Sequence, residues 1–370
     1  MRQARQVSIA VLMSAALAVV LPASAPAKLR IFVANSGDRT VSVIDGDLDR
    51  EEAVIPVGNL PQGLALRQRP TPLLAVANSH ADSVTLIDPV SLDKLGEDVP
   101  VGRYPVDLVF SSDGQLLFCS SESAQNIIAL DVETRAPVGP PIPIGAPPRR
   151  LTLSPDGNFL FVTKYAEDGA VLIADVRTRT VTATIPVGPF PTDLAVHPDG
   201  KRLFAASFNA STATVIDLAS RTAVDAFEMA TGYGLLIHPT RPLLYSIVTM
   251  DDEVHVVDYQ KKETVATIPV GQKPTYSTMS PDGRFVYVVN GTDGNVMKLD
   301  TTTNQILGRI AVGVEPAAAV VLTLPSRVPR AIAYVALPAW LLVIIGGIRI
   351  WRRRTAAPLR REAARGPAGT

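Results

Sequence analysis

A carboxylate, a guanidinium and a second carboxylate recur along this chain at an even interval: Asp107, Arg150 and Asp193 lie 43 residues apart. Arg149 adjoins Arg150, Lys164 and Tyr165 follow as a pair, and Tyr104, Tyr233 and Tyr276 lie one or more intervals away. Two kinds of chemistry are open to such a set. Arg150 and Lys164 could hold a small anionic ligand against a wall of tyrosines, the cations supplying charge-assisted hydrogen bonds and the rings apolar faces. Alternatively, Asp107, Arg150 and Asp193 pair among themselves and line a hydrated opening, and this self-paired arrangement is the simpler expectation.

Other chemistries find little support. Nucleophilic catalysis would need a Gly-x-Ser-x-Gly elbow or a reactive cysteine with a paired histidine, and neither is present. The single cysteine, Cys119, cannot form a disulfide within the chain. It lies in the apolar run Leu117-Phe118-Cys119, where burial is expected. Asp45-Gly46-Asp47-Leu48-Asp49 alternates acids as a calcium loop does. However, Arg50 stands where that loop needs glycine and Pro56 where it needs glutamate, so a solvated hairpin is expected. His80, His197, His238 and His255 show no ligand spacing. No metal or cofactor is implied.

What positions the charged set is a repeat of about 43 residues. An apolar run ending in aspartate occurs seven times, at Asp45, Asp88, Asp131, Asp175, Asp217, Asp258 and Asp300. The glycine ending the next run recurs at Gly58, Gly102, Gly145, Gly188, Gly232, Gly271 and Gly313. A proline follows three residues later in six of the seven; the fifth unit has Leu235 there. Ser-Pro-Asp-Gly is whole at 154–157 and 280–283 and altered or eroded in other units. Four runs of period-two alternation per unit, with turn residues between them, are the signature of a β-propeller. The chain begins with a second strand (29–35), a third (41–45) and a fourth (53–57), and ends with a lone inner strand at 317–324. The prediction is therefore an all-β, seven-bladed propeller of four-stranded blades, closed three plus one. Gly63, Asp107, Arg150, Asp193, Gly234, Tyr276 and Ala318 would then ring one mouth of the channel. The repeated aspartates are expected to cap hairpins, and the proline after each glycine to keep its loop extended.

These units resemble the YVTN-type β-propeller repeat, a relative of WD40. Ile31-Phe32-Val33-Ala34-Asn35, Val76-Ala77-Asn78 and Val286-Tyr287-Val288-Val289-Asn290 match its aromatic-Val-x-Asn strand. Thr267-Ile268-Pro269-Val270-Gly271 and its copy at 184–188 match its third run. Ser121, Lys164, Ser207 and Val248 depart at the Asn position. The resemblance covers residues 29–324. It implies an exported or surface-attached protein with a binding role. Both tryptophans, Trp340 and Trp351, lie beyond the repeats, which sets the chain apart from WD40 and from propellers that dock their cofactor on tryptophan. Seven-bladed propellers include lactonases, and a metal-dependent hydrolase of that kind is the alternative. Its best available ligands would be Asp107, Asp193 and Asn78.

The ends carry a different message. Residues 1–27 hold Arg2 and Arg5, an apolar stretch and then Ala25-Pro26-Ala27, the order of a secretory signal. An uncharged run at 331–348 is followed by Trp351 and by Arg352, Arg353 and Arg354. This reads as a transmembrane helix over 331–350 with a basic cytoplasmic tail at 351–370, by the positive-inside rule. An uncleaved N-terminal anchor and a C-terminal surface-sorting signal are weaker readings of the same ends. Setting both ends aside leaves 26 basic and 34 acidic residues, a net of −8. Such a body repels polyanions, so nucleic acid is an unlikely partner. The expectation is an envelope-anchored, non-enzymatic propeller, periplasmic or at the cell surface, that binds an envelope protein or a small anionic ligand.

Overall fold

Each repeat unit folds its four alternating runs into one antiparallel sheet, and seven such sheets make up residues 28–324, the part of the chain that the computed structural model describes. The expected signal segment, membrane span and tail lie outside the described residues. No helix among the described residues is long and apolar enough to cross a membrane. The expected closure is present. The inner strand Pro316–Leu324 pairs antiparallel with Lys28–Asn35, Phe32 opposite Val320, and completes blade 1. The two outer strands that depart most are Val99–Pro100 in blade 2 and Ile142–Pro143 in blade 3, each cut to two residues.

The core lies between blades. Second strands supply one large ring each, three residues before their last position: Phe32, Phe118, Phe161, Phe204, Tyr245 and Tyr287, none more than 2% exposed. Blade 2 has Ala75 at that place. Cys119 is fully buried beside this layer, and burial pushes its thiol pKa up.

The repeated polar residues hold turns and join blades. All seven aspartates that end third strands accept backbone amides two or three residues on, such as Leu48 N on Asp45 at 3.1 Å and Thr303 N on Asp300 at 3.0 Å. In Ser-Pro-Asp-Gly, Ser280 Oγ donates to Asp282 at 2.6 Å and accepts Phe285 N at 2.9 Å, while Gly283 takes φ +75°. Hydroxyls stitch neighbours: Ser36 to the Pro61 carbonyl at 2.8 Å, Ser79 to Pro105 at 2.6 Å and Thr249 to Pro274 at 2.7 Å. The acid-rich loop after Asp45 is similarly engaged. Asp45 accepts its own loop's amides, and Asp49 pairs at 2.8 Å with the buried ammonium of Lys298 in blade 7, joining the last blade to the first.

The expected extended loop is not observed before five of the six repeat prolines, Pro148 being the exception. Leu60, Tyr104, Phe190, Lys273 and Glu315, each preceding that proline, have φ between 49° and 59°. A residue before proline resists the helical region. Here that cost is offset by backbone bonds from the neighbouring loop, such as Ser79 N to Leu60 O at 2.9 Å and Gly291 N to Lys273 O at 2.9 Å.

Candidate functional site

Directly after the proline, pairing slips by one residue in blades 1 to 5, leaving Ala317, Gln62, Val106, Arg149 and Thr192 as the extra residues. Such a bulge re-aims a side chain out of the sheet. Four of these five residues line one cavity at the channel mouth; Thr192 instead donates to the Gly232 carbonyl at 2.7 Å. The cavity measures about 310 Å³, at the small end of ordinary ligand sites.

Its two sides differ in chemistry. One is small and apolar, from Gly63, Leu64 and Val106 to residues 317–320. The other carries Asp107, Arg149, Arg150, Tyr233, Lys273 and Tyr276. Gly63 allows the close approach of inner strands there, since a Cβ would meet the Val106 carbonyl oxygen at 2.5 Å.

Five of the nine expected residues thus share the cavity: Asp107, Arg149, Arg150, Tyr233 and Tyr276. Two more lie behind its wall. Asp193 holds Arg150 Nε at 2.8 Å, and the Tyr165 ring lies under the Arg149 guanidinium at 4.7 Å. Tyr104 and Lys164 are not in the lining. Tyr104 packs edge-on against His80 at 5.6 Å, and Lys164 pairs with Asp168 at 2.6 Å. Asn78, offered as a ligand in the hydrolase reading, points into its own blade and donates to Ser83 and Thr85 at 3.2 and 2.9 Å. Among the described residues no group of three or more His, Cys, Asp or Glu is arranged to hold a metal.

The two arginines have opposite surroundings. Arg150 lies between carboxylates, 2.8 Å from Asp193 and 3.5 Å from Asp107. Each aspartate also accepts the amide of the next blade's inner strand, Leu151 N on Asp107 at 2.8 Å and Leu235 N on Asp193 at 2.7 Å. The triad is therefore a brace across blades 3, 4 and 5. Burial raises the pKa of Asp107 to about 6 and that of Asp193 upward, against the pull of Arg150. Burial also pushes the Tyr276 phenol up, so it stays a proton donor.

Arg149 has no such partner. Among the described residues it makes no ion pair, and its buried Nε lacks a hydrogen bond. Its guanidinium lies over Tyr165 at 4.7 Å and Tyr233 at 5.9 Å, and Tyr233 stacks in turn on Phe208 at 5.8 Å. Glu122 is near enough to help raise its pKa but forms no salt bridge with it. The guanidinium thus packs on two tyrosines and borders the cavity with no carboxylate of its own, and a planar guanidinium suits a carboxylate. Lys273, exposed and likewise unpaired among the described residues, sits at the rim.

Lys273, Gln62, Thr275 and Ser277 were not anticipated as lining. The available signal was positional: residues on either side of the repeat proline face the mouth.

No family model matches this chain, and no curated protein matches it. Solved structures do. Hydrazine synthase of Kuenenia stuttgartiensis is 21% identical with TM-score 0.65, over 73% of this chain and 92% of that one. The dihydro-heme d1 dehydrogenase NirN, in complex with DHE, is 18% identical with TM-score 0.61, over 79% and 74%. A functionally unknown protein from Desulfotomaculum acetoxidans DSM 771 is 11% identical with TM-score 0.68, over 80% and 99%. At these identities the likeness is one of fold.

Proposed function

We propose that this propeller, of the YVTN type, is a non-enzymatic binding module that holds a small organic anion at its channel mouth. The observation that carries the reading is Arg149: a guanidinium backed by Tyr165 and Tyr233, with a buried Nε left without a partner, facing a cavity with an apolar far wall. Among the described residues this guanidinium has no carboxylate partner, and a carboxylate entering the cavity would supply one. Arg150, already bonded to two carboxylates, braces the wall. The reading places the propeller outside the cytoplasm, in the periplasm or at the cell surface, exported by residues 1–27, anchored by 331–350 and followed by a cytoplasmic tail. The charge pattern of the two ends supports this topology.

Calorimetry on the full-length protein with propanoate, benzoate and sulfate tests this. Propanoate and benzoate should bind, and Arg149→Gln should weaken them at least tenfold, about 1.4 kcal/mol. Lys164→Gln, outside the cavity, should leave them unchanged. Absence of carboxylate binding, or equal binding by wild type and Arg149→Gln, overturns the proposal.

A further inference from the structure

The cavity is not a closed pocket. It shares Gln62, Lys273, Thr275 and Ala317 with a broader groove of about 660 Å³ that runs outward where blade 7 meets blade 1. A ligand confined to the cavity would leave this groove empty, whereas a longer one would follow it. The chemistry changes along the way. The inner part has an apolar wall and the unpaired Arg149. The outer part mixes apolar Leu60, Val312 and Val314 with Ser36 and Thr292, and carries charges of both signs in Lys273, Asp293 and Glu315. Glu315 has no ion-pair partner among the described residues and lies beside the exposed Val314.

We infer that this continuous cleft takes an extended polypeptide, carboxyl end first, with the terminal carboxylate on Arg149 and the terminal side chain against Gly63, Leu64 and the 317–320 strand. This rests on the anion reading above and narrows it to one ligand class. An acyl chain ending in a carboxylate would suit the inner wall but would leave the charged groups of the groove, Lys273, Asp293 and Glu315, without partners. A uronic-acid chain or an oligonucleotide would call for aromatic faces along its length, because sugars and bases stack on rings; no aromatic side chain lines the groove. A polypeptide meets both parts: one terminal carboxylate, one apolar last residue, then a polar backbone with side chains of either sign. Glu315 adds a preference for a basic residue upstream of the terminus.

The test uses the full-length protein immobilised against two hexapeptide libraries, randomised at the last three positions, one with free carboxyl ends and one amidated. Mass spectrometry of retained peptides should show the free acids held at least tenfold better than the amides. The last position should be enriched in small apolar residues and the upstream positions in lysine or arginine. Arg149→Gln should remove the acid-over-amide difference. Glu315→Lys should remove the basic preference and leave propanoate binding intact. Equal retention of acids and amides overturns the inference. So does propanoate binding that depends on Arg149 with no retention of either library, which leaves the anion reading standing. If propanoate too shows no dependence on Arg149, both readings fall.

Discussion

Asp107 is held in a conflict between hydrogen bonding and burial. Its carboxylate secures the amide of Leu151 and faces Arg150, yet it is 5% exposed and burial outweighs both, so its pKa rises from 3.8 to about 6. A pKa raised by folding adds stability below the unfolded value and loses it as pH climbs through the folded one. Protonation between pH 6 and pH 4 should therefore favour the folded state at this residue. Two pKa units correspond to about 2–3 kcal/mol. Asp107→Asn keeps a side-chain acceptor for Leu151 and does not titrate. Urea unfolding of both proteins from pH 4 to pH 7 should show wild type losing about 2–3 kcal/mol relative to Asp107→Asn as pH rises. A pH-independent difference would show that Arg150 fully compensates the buried charge. Asp193, buried on the other side of Arg150 and shifted the same way, remains in both proteins.

At the scale of the strand, the repeated glycine and the repeated asparagine turn out to be one feature. At five of the seven repeats the glycine ending the outer strand lies against the residue ending the next blade's second strand; Gly232 instead meets the Ile247 carbonyl and Thr249 N. A Cβ on Gly58 would sit 2.5 Å from Asn78 Cγ, one on Gly271 2.6 Å from Asn290, and one on Gly313 2.6 Å from Asn35. Where serine replaces asparagine the contact persists, as between Gly188 and Ser207 at 2.7 Å. In blade 4 Lys164 breaks the pattern, and Gly145 has nothing within 4 Å. Gly58→Ala should thus cost about 1–3 kcal/mol by overpacking. Gly308→Ala, in an outer strand where an added Cβ meets nothing within 4 Å, should be neutral or stabilising by up to about 1 kcal/mol. Denaturant midpoints of the two variants decide this; equal losses would mean that the asparagine simply moves aside. Such pairings explain what the sequence could reveal. Blade count, closure and turn chemistry are written in residues that recur, and recurrence is visible without coordinates. The mouth was legible only in part. Asp107, Arg150 and Tyr276 stand at one recurring position, but the bulge that turns Arg149 inward is a register slip, and no residue type marks it. Lys164 was misleading for a different reason. It replaces an inward asparagine, yet its longer chain reaches Asp168 instead.

For the whole molecule, the ring's closure and the binding site share a strand. Residues 316–324 complete blade 1 and also supply the apolar wall of the cavity at 317–320. Neighbouring contacts concentrate at the same seam. The inner strand of blade 7 is cut to Thr278–Met279, and Tyr276 bridges to Ala318 in its place, with Ala319 N donating to Tyr276 O at 3.2 Å. Lys298 and Asp49 hold the outer side. In a ring, each blade buries its faces only against its neighbours, so an open seam exposes two faces at once. Loss of this strand would uncover Phe32, Ile31 and Val33, all fully buried in the closed ring. A chain ending at Glu315 should therefore lack the single cooperative thermal transition expected of a chain ending at Leu324, and should bind a dye for exposed apolar surface. Its failure to bind propanoate would follow from the missing wall even where blades 3 to 5 keep their Asp107–Arg150–Asp193 brace. If the shorter chain instead melts cooperatively within about 2 °C of the longer one, a shift worth only about 1 kcal/mol for domains of this size, then closure is carried by the outer contacts. The final strand would in that case serve the site alone.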